Sequence, residues 1–512
     1  MSIQKRFLIS FGANVIRALL SFVTGILLAR GLGPTSYGNL AYLLGSFWAL
    51  RALMDLGTSS AFYTFIAQRH RGGVFYYLYF SWLAFQFIAS LLLIFVLLPQ
   101  SVIDYFWFGQ AHEIIFLALL ANYLQNQVWQ TLVQIYESHR HTFQIQIASL
   151  IIVLVHLTLI SVCIYSDWLS IAIILIGICA EYFFVSILLA IREIRVWPKS
   201  HNSHDSASVT QAFLEYAAYC KPMIWMSIFA FIYEIADRWM LQHFSGSVQQ
   251  GFYQIALQLS TISLLAATSM LNVFWKEIAE ANERGQHASV IMLYENATRL
   301  LVIFGAGIAC FLLPWSRELT IVLLGKEYYA AWPALMIMLL YPIHQVMGQI
   351  NGTLFMAIGE TKIYTRLANI GLIISIPISY LLLAPSSGLL VSGFGLGAFG
   401  LAIKIVFLNM IFVNIQSYFI ARKYLVPMQW AVQFKAILSF SIVGFLTYIL
   451  IGGDDGGLTK ISLIWRLILS GSMYIVGVVF ISLWRPSLIG LKNSDIAHLQ
   501  DWVAVRFGGR SW

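Results

Sequence analysis

Polar residues divide this chain into continuous apolar runs of about twenty residues, and no other feature restricts its fold as strongly. A helix rises 1.5 Å per residue, so a run of that length crosses ~30 Å of hydrocarbon with its backbone hydrogen bonds satisfied internally. Fourteen spans are expected: 7–29, 39–66, 74–98, 112–136, 142–165, 168–191, 213–241, 250–274, 288–314, 330–356, 363–383, 397–420, 430–451 and 461–484. The runs do not alternate polar with apolar, which excludes barrel strands. The first is too long for a cleavable signal segment and contains Asn14 and Arg17. Only 10% of residues are charged and 60% are hydrophobic, against about 25% charged in a soluble domain. The expected fold class is therefore an all-α polytopic membrane protein.

The net charge of +8 does not point to nucleic acid, because the basic residues fall in ones and twos between apolar runs. Topology accounts for them better. With the N-terminus inside, the outer loops hold only Arg30, Arg317, Lys326 and Lys460, while the inner segments carry most of the other basic residues, from Lys5 to Arg510. One missed span would scramble that alternation, so both termini are expected in the cytoplasm.

The longest polar stretch between spans, PKSHNSHDSASVTQA at 198–212, follows the sixth and reads as a linker between halves. A weak repeat agrees. GPTSYGNLAYLL from Gly33 and GSVQQGFYQIAL from Gly246 share glycines five apart, and each joins the first two spans of its half. ESHRHT from Glu137 and GETKIYT from Gly359 likewise join the fourth and fifth spans of each half. The expected organisation is an N-terminal lobe over 1–196, a linker over 197–212, a C-terminal lobe over 213–425, an extra helix pair over 426–484 and a tail over 485–512.

Arg17 lies ten residues into the first span, ~15 Å from its inner end and near the bilayer midplane. Ser10, Asn14, Arg17, Ser21 and Thr24 recur every three or four residues, so they form one polar stripe. Exposing that arginine to lipid costs at least ~2.5–3.5 kcal/mol, so the stripe must face protein or water. Arg51 is twelve residues into the antiparallel second span, at similar depth, with Asp55 four residues on. Two readings stand for these groups: an ion pair Arg51–Asp55 with Arg17 satisfied by carbonyls, or a cationic cavity that receives an anion.

Uncharged stripes follow. Asn122, Asn126, Gln130 and Gln134 repeat at i, i+4 in the fourth span, and Gln254, Gln258, Thr261, Thr268 and Asn272 share a side of the eighth. Amides and hydroxyls in this pattern suit sugar hydroxyls or interhelical bonding. In YEIADRWM of the seventh span, Glu234 pairs by spacing with Arg238, and either Glu234 or Asp237 is a candidate ion-coupling carboxylate. Lys221, Arg299, Lys404 and Arg466 read as snorkelling or capping groups near span ends. Cys163, Cys179, Cys220 and Cys310 lie in spans without metal spacing, so no disulfide, metal or cofactor is expected. GLGAFG at 395–400 opens a membrane helix without a preceding strand, which favours helix packing over a dinucleotide site.

The segments LLARGLGPTSYGNLAYLL (27–44), KPMIWMSIFAFIYEIADRWML (221–241), LLGKEYYAAWPALMIMLL (323–340) and LFMAIGETKIYTRLANI (354–370) together resemble the bacterial polysaccharide flippases. These are O-antigen and exopolysaccharide flippases of the multidrug/oligosaccharidyl-lipid/polysaccharide exporter superfamily. The resemblance runs from about residue 5 to 425. It implies two pseudo-symmetric six-helix lobes around a central cavity and no enzymatic activity. The implied cargo is an undecaprenyl-diphosphate-linked oligosaccharide, moved between leaflets of the bacterial inner membrane. Membrane lipid and the polysaccharide polymerase machinery are the implied partners. In related lipid II flippases basic residues of the first two helices line the cavity, and Arg17 and Arg51 match in helix and approximate depth, with Asp55 as an addition. Asn14, Asn122, Asn126, Gln130 and Gln258 complete the candidate substrate-binding set. The alternatives are a drug/cation antiporter of the same superfamily, which would want an acidic lumen, and a membrane glycan polymerase or ligase, which would want a long outer loop.

Overall fold

A computed structural model describes residues 3–68, 71–196, 208–261, 264, 277–278, 280–357, 360–387, 392–424, 428, 430–452 and 460–489. Among them every regular element is a helix. In order these are α1 (Ile3–Asp55), α2 (Thr58–Gln68), α3 (Gly73–Leu92), α4 (Gln100–Trp107), α5 (His112–Tyr123), α6 (Trp129–Ser138), α7 (Thr142–Tyr165), α8 (Ile171–Val196), α9 (Val209–Cys220) and α10 (Ile224–Thr261). They continue with α11 (His287–Leu312), α12 (Ser316–Leu324), α13 (Trp332–Met338), α14 (Tyr341–Ala357), α15 (Thr361–Leu383), α16 (Gly397–Tyr424), α17 (Trp430–Gly452) and α18 (Lys460–Trp484).

Among the described residues nine helices are long and apolar enough to cross a membrane, or ten if a pair bent by 41° over Lys326–Met338 and Tyr341–Met356 is one span. The difference from fourteen has local causes. At 53 residues α1 is ~80 Å long, far beyond a bilayer, so it must break. It does so at Gly33, with φ 71° and ψ 167°, a conformation that only glycine adopts easily; Pro34 then begins the next helix, where its missing N–H costs nothing. The first and second expected spans are thus one element with a break. α10 repeats this device at Gly246, with φ 81° and ψ 176°, and joins the seventh expected span to the eighth. The fourth is divided by a π-helical turn at Leu124–Val128. The seventh begins later than expected: α9 and α10 are separated by a 3₁₀ turn at Lys221–Met223, where Pro222 removes a backbone donor.

The chain forms two compact units. The first comprises Met1–Gln254 with Ser379–Gly397, so it extends past the linker and takes in α9 and most of α10. Within it α1 packs along α7 and α5 along α8. Tyr42, Phe47 and Trp107 anchor one core; Trp107 stacks on Phe47 at 5.7 Å and donates to Ser46 Oγ at 3.2 Å. At the other end α9 lies on α2 and α3. There Arg71, 2% exposed, donates to both oxygens of Glu215 at 2.9 and 2.7 Å and stands 5.0 and 4.9 Å from the Phe65 and Phe75 ring centres.

The repeated glycines meet each other in this unit. A Cβ on Gly38 would collide with the Ser247 carbonyl and lie 2.8 Å from Gly251 N; one on Gly251 would collide with the Pro34 carbonyl and lie 3.3 Å from Gly38 N. The two repeat copies therefore cross backbone to backbone, and Gln242 Nε2 donates to Asn39 Oδ1 at 3.1 Å beside the crossing.

The second unit comprises Ile255–Ile378 and Ala398–Trp512. In it α11 packs on α14 and α17, and α17 on α18. Asn351 is fully buried, accepting from Tyr294 Oη at 2.8 Å and donating to the Val413 carbonyl and Ser417 Oγ at 3.0 Å each. Two residues expected to snorkel are buried instead. Arg299 donates to Asn296 Oδ1 at 2.9 Å, and Lys404 is enclosed with a partner of its own.

Candidate functional site

Two polar cavities lie in the first unit. The larger, about 340 Å³, is bordered by Tyr37 and Trp48 of α1, Asn122 of α5, Gln125 and Asn126 of the π turn, and Arg238 and Gln254 of α10. The smaller, about 220 Å³, is bordered by Ser21 and Thr24 of α1, Gln125, His156 of α7, and Glu181 and Tyr182 of α8. Gln125 and Leu28 border both.

The π turn explains how neighbouring amides reach different places. Its i→i+5 bonding widens the helix by about one residue, so three consecutive amides fan out. Gln125 donates to Tyr182 Oη at 3.1 Å, Asn126 borders the larger cavity, and Gln127 donates to Gln86 Oε1 at 3.0 Å. The expected i, i+4 stripe does not survive that insertion. Asn122 and Asn126 still share a cavity, but Gln130 is exposed and borders neither cavity. Asn122 and Gln127, five apart, line a third small space of about 30 Å³ with Arg51, Gln86 and Ser90.

Arg17 is half-exposed and donates to Asn14 Oδ1 at 2.8 Å. No carboxylate lies within ion-pair distance of it among the described residues. Its charge reaches Tyr182 on α8 and Glu137 in the turn after the fourth expected span; burial pushes the Glu137 carboxyl above its usual range and Arg17 opposes this. Ser21 and Thr24, on the same stripe, open on the smaller cavity, about one and two turns beyond Arg17. Thr24 spends its hydroxyl on the Leu20 carbonyl at 2.8 Å.

The ion pair considered for Arg51 does not form. Asp55 accepts from Thr58 Oγ1 at 3.1 Å, Ser59 N at 3.1 Å and Ser59 Oγ at 2.8 Å, and so holds the first turn of α2. The chain turns at Leu56 and Gly57, with φ 49° and 83°, which brings the donors of Thr58 and Ser59 back onto the Asp55 carboxylate. Arg51 stands 5.0 Å from the Trp48 ring centre, and its Nε is buried without a hydrogen-bond partner. Of the α10 carboxylates, Glu234 pairs with Arg238 at 3.4 Å, and Asp237 is buried and accepts from Ser379 Oγ at 2.6 Å. Gln258 belongs to the second unit and is half-buried, while Thr268 and Asn272 lie outside the described residues.

Three contributors escape a sequence reading. Arg238 borders the larger cavity because Gly45 has no side chain: a Cβ there would strike the guanidinium. Gln125 was hidden by the assumption of an unbroken α-helix. His156 and Glu181 are 25 residues apart on different helices, and the only available signal was one acid and one histidine in otherwise apolar spans.

The larger cavity can do what a sugar site requires. It offers aromatic faces, amides that both donate and accept, and one cation. A model of the polysaccharide biosynthesis protein family matches residues 3–275. The chain belongs to that family. Its fold is that of transporters of the MOP superfamily. A lipid II flippase, MurJ, in an inward closed conformation is similar at 16% identity and TM-score 0.67, covering 94% of this chain and 99% of the other. An inward-facing multidrug resistance MATE family transporter gives 15% identity and TM-score 0.59, over 80% and 94%. A MOP superfamily transporter from Pyrococcus furiosus Vc1 gives 14% and 0.55, over 82% and 95%. No curated protein matches in sequence. This family member is thus a multi-pass membrane protein of polysaccharide biosynthesis with the fold of those transporters.

Proposed function

We propose that the protein is a flippase that carries undecaprenyl-diphosphate-linked oligosaccharide from the cytoplasmic to the periplasmic leaflet of the bacterial inner membrane. Fourteen spans with both termini cytoplasmic, and rocking of 1–196 against 213–420, form the accompanying topology and cycle. The observation that carries the reading is the polar face of α1. A guanidinium with no carboxylate within ion-pair distance among the described residues stands on the stripe that leads to Ser21 and Thr24. A diphosphate cannot cross hydrocarbon unaided, and an arginine presents paired donors that match phosphate oxygens. Asn122, Asn126, Trp48 and Arg238 around the larger cavity suit the sugar portion, and the prenyl tail stays in the bilayer. An inside-negative potential favours outward movement of the anion by about 2.3 kcal/mol per charge per 100 mV. A cationic drug is disfavoured by the arginine at the larger cavity.

The test replaces Arg17 by alanine and, separately, by lysine in the native host. Arg17→Ala is expected to abolish surface polysaccharide while lipid-linked intermediate accumulates in the cytoplasmic leaflet, with Lys retaining part of the activity. Normal surface polymer with Ala at wild-type protein abundance removes Arg17 from the mechanism.

A further inference from the structure

His156 is the only basic residue of α7, and Glu181 is the only acidic residue of α8 before Glu193. Glu181 is 8% exposed, and both its oxygens, at 3.0 and 3.1 Å, face His156 Nδ1. The pair opens on the smaller cavity, which is large enough for several waters at about 30 Å³ each and offers them Ser21, Gln125 and Tyr182 as partners. A buried ion pair that served stability alone would be better replaced by apolar packing, and an ionisable pair in a membrane span is by default a proton or substrate site.

We propose that His156 and Glu181 form a proton-binding site of the transporter. With neutral histidine donating from Nδ1, the pair carries the single negative charge of Glu181. When the cavity holds water, hydronium gives one proton to Nε2, an Nε2–H bond forms, and the pair becomes a neutral imidazolium–carboxylate couple. No oxidant or reductant is involved. A net charge sealed in low dielectric is costly and a neutral couple less so, so closing the cavity favours proton uptake and flooding it favours release.

The surrounding groups fix the sign of any linkage. On α8 these are Tyr182 and Cys179, the latter turned to the Leu117 carbonyl of α5. α5 brings Tyr123 and the π turn the neutral amide of Gln125; α7 has no other charged residue, and Glu137 ends α6. α1 contributes Arg17, whose charge reaches Tyr182 beside Glu181. A guanidinium with no anion bound opposes further positive charge nearby, so an anion bound at Arg17 and a proton at the pair favour each other. That linkage rests on the flippase reading; the proton site itself does not.

The experiment uses full-length protein in detergent with ¹⁵N-labelled histidine, and assigns His156 by difference with His156→Gln. The imidazole signal is expected to change with pH in wild type and to lose or alter that response in Glu181→Gln, with both variants eluting as wild type on gel filtration. A His156 signal that does not titrate, or one indifferent to Glu181→Gln, overturns the proton site. In parallel, farnesyl diphosphate is titrated calorimetrically in buffers of different ionisation enthalpy. Wild type should take up a fraction of a proton on binding, and Glu181→Gln should bind without uptake. Binding without uptake in wild type removes the linkage and spares the flippase reading. No binding, with a titrating His156, counts against the diphosphate reading and leaves the proton site standing.

Discussion

Arg17, Arg51 and Arg71 show how differently one residue type is used. Arg71 is saturated: two hydrogen bonds to Glu215, and the ring faces of Phe65 and Phe75. Removing it takes both of these hydrogen bonds from a buried charge and opens the α9 contact, so Arg71→Ala should cost about 2–3 kcal/mol, seen as a lower unfolding midpoint of the detergent-solubilised protein, with transport of the folded fraction retained. Asp55 illustrates a role that sequence reading missed. Its i+4 relation to Arg51 suggested a pair, but Thr58 and Ser59 after Gly57 supply three donors for a turn. Asp55→Ala should therefore lower stability by about 1 kcal/mol, whereas Asp55→Asn, which keeps an acceptor, should lose less; equal losses in a thermal melt would argue against the capping role. Arg17 was legible because three- and four-residue spacing of polar groups survives in any regular helix. His156 and Glu181 were not, since spacing within one helix carries no information about pairing across two.

At the level of the element, two backbone irregularities do what a regular helix could not. The π turn at Leu124–Val128 deals successive amides to three environments, and Gly33 and Gly246 kink their helices at equivalent points of the repeat. The repeat was visible as glycines five apart, but that the two copies touch was not, because a one-dimensional pattern does not say which helices cross. Gly38 and Gly251 now make a specific prediction. Gly38→Ala and Gly251→Ala each press a methyl group on backbone that cannot yield as a side chain would, so each should lower the unfolding midpoint by the equivalent of about 1–3 kcal/mol. Both glycines serve one crossing, so the double substitution should cost clearly less than the sum; strict additivity in the double-mutant cycle would mean the two do not share a contact.

For the molecule as a whole, continuous apolar runs disclosed an all-helical membrane protein because the hydrocarbon core imposes one length on every span. They disclosed boundaries less well. α1 fuses two expected spans and α9 separates from α10 at Pro222, because a glycine or proline breaks or continues a helix without any polar loop to mark the place. The distribution of Lys and Arg makes a whole-molecule prediction. A fluorescent protein fused after Trp512 should fluoresce and alkaline phosphatase fused there should be inactive; the opposite pair of results would place the C-terminus outside and break the fourteen-span count.

Gln125 stands in the wall between two chambers, held by the hydroxyl of Tyr182. Trimming it to a methyl group would take down the partition, and whatever occupied one room would then come into the presence of the buried acid in the other.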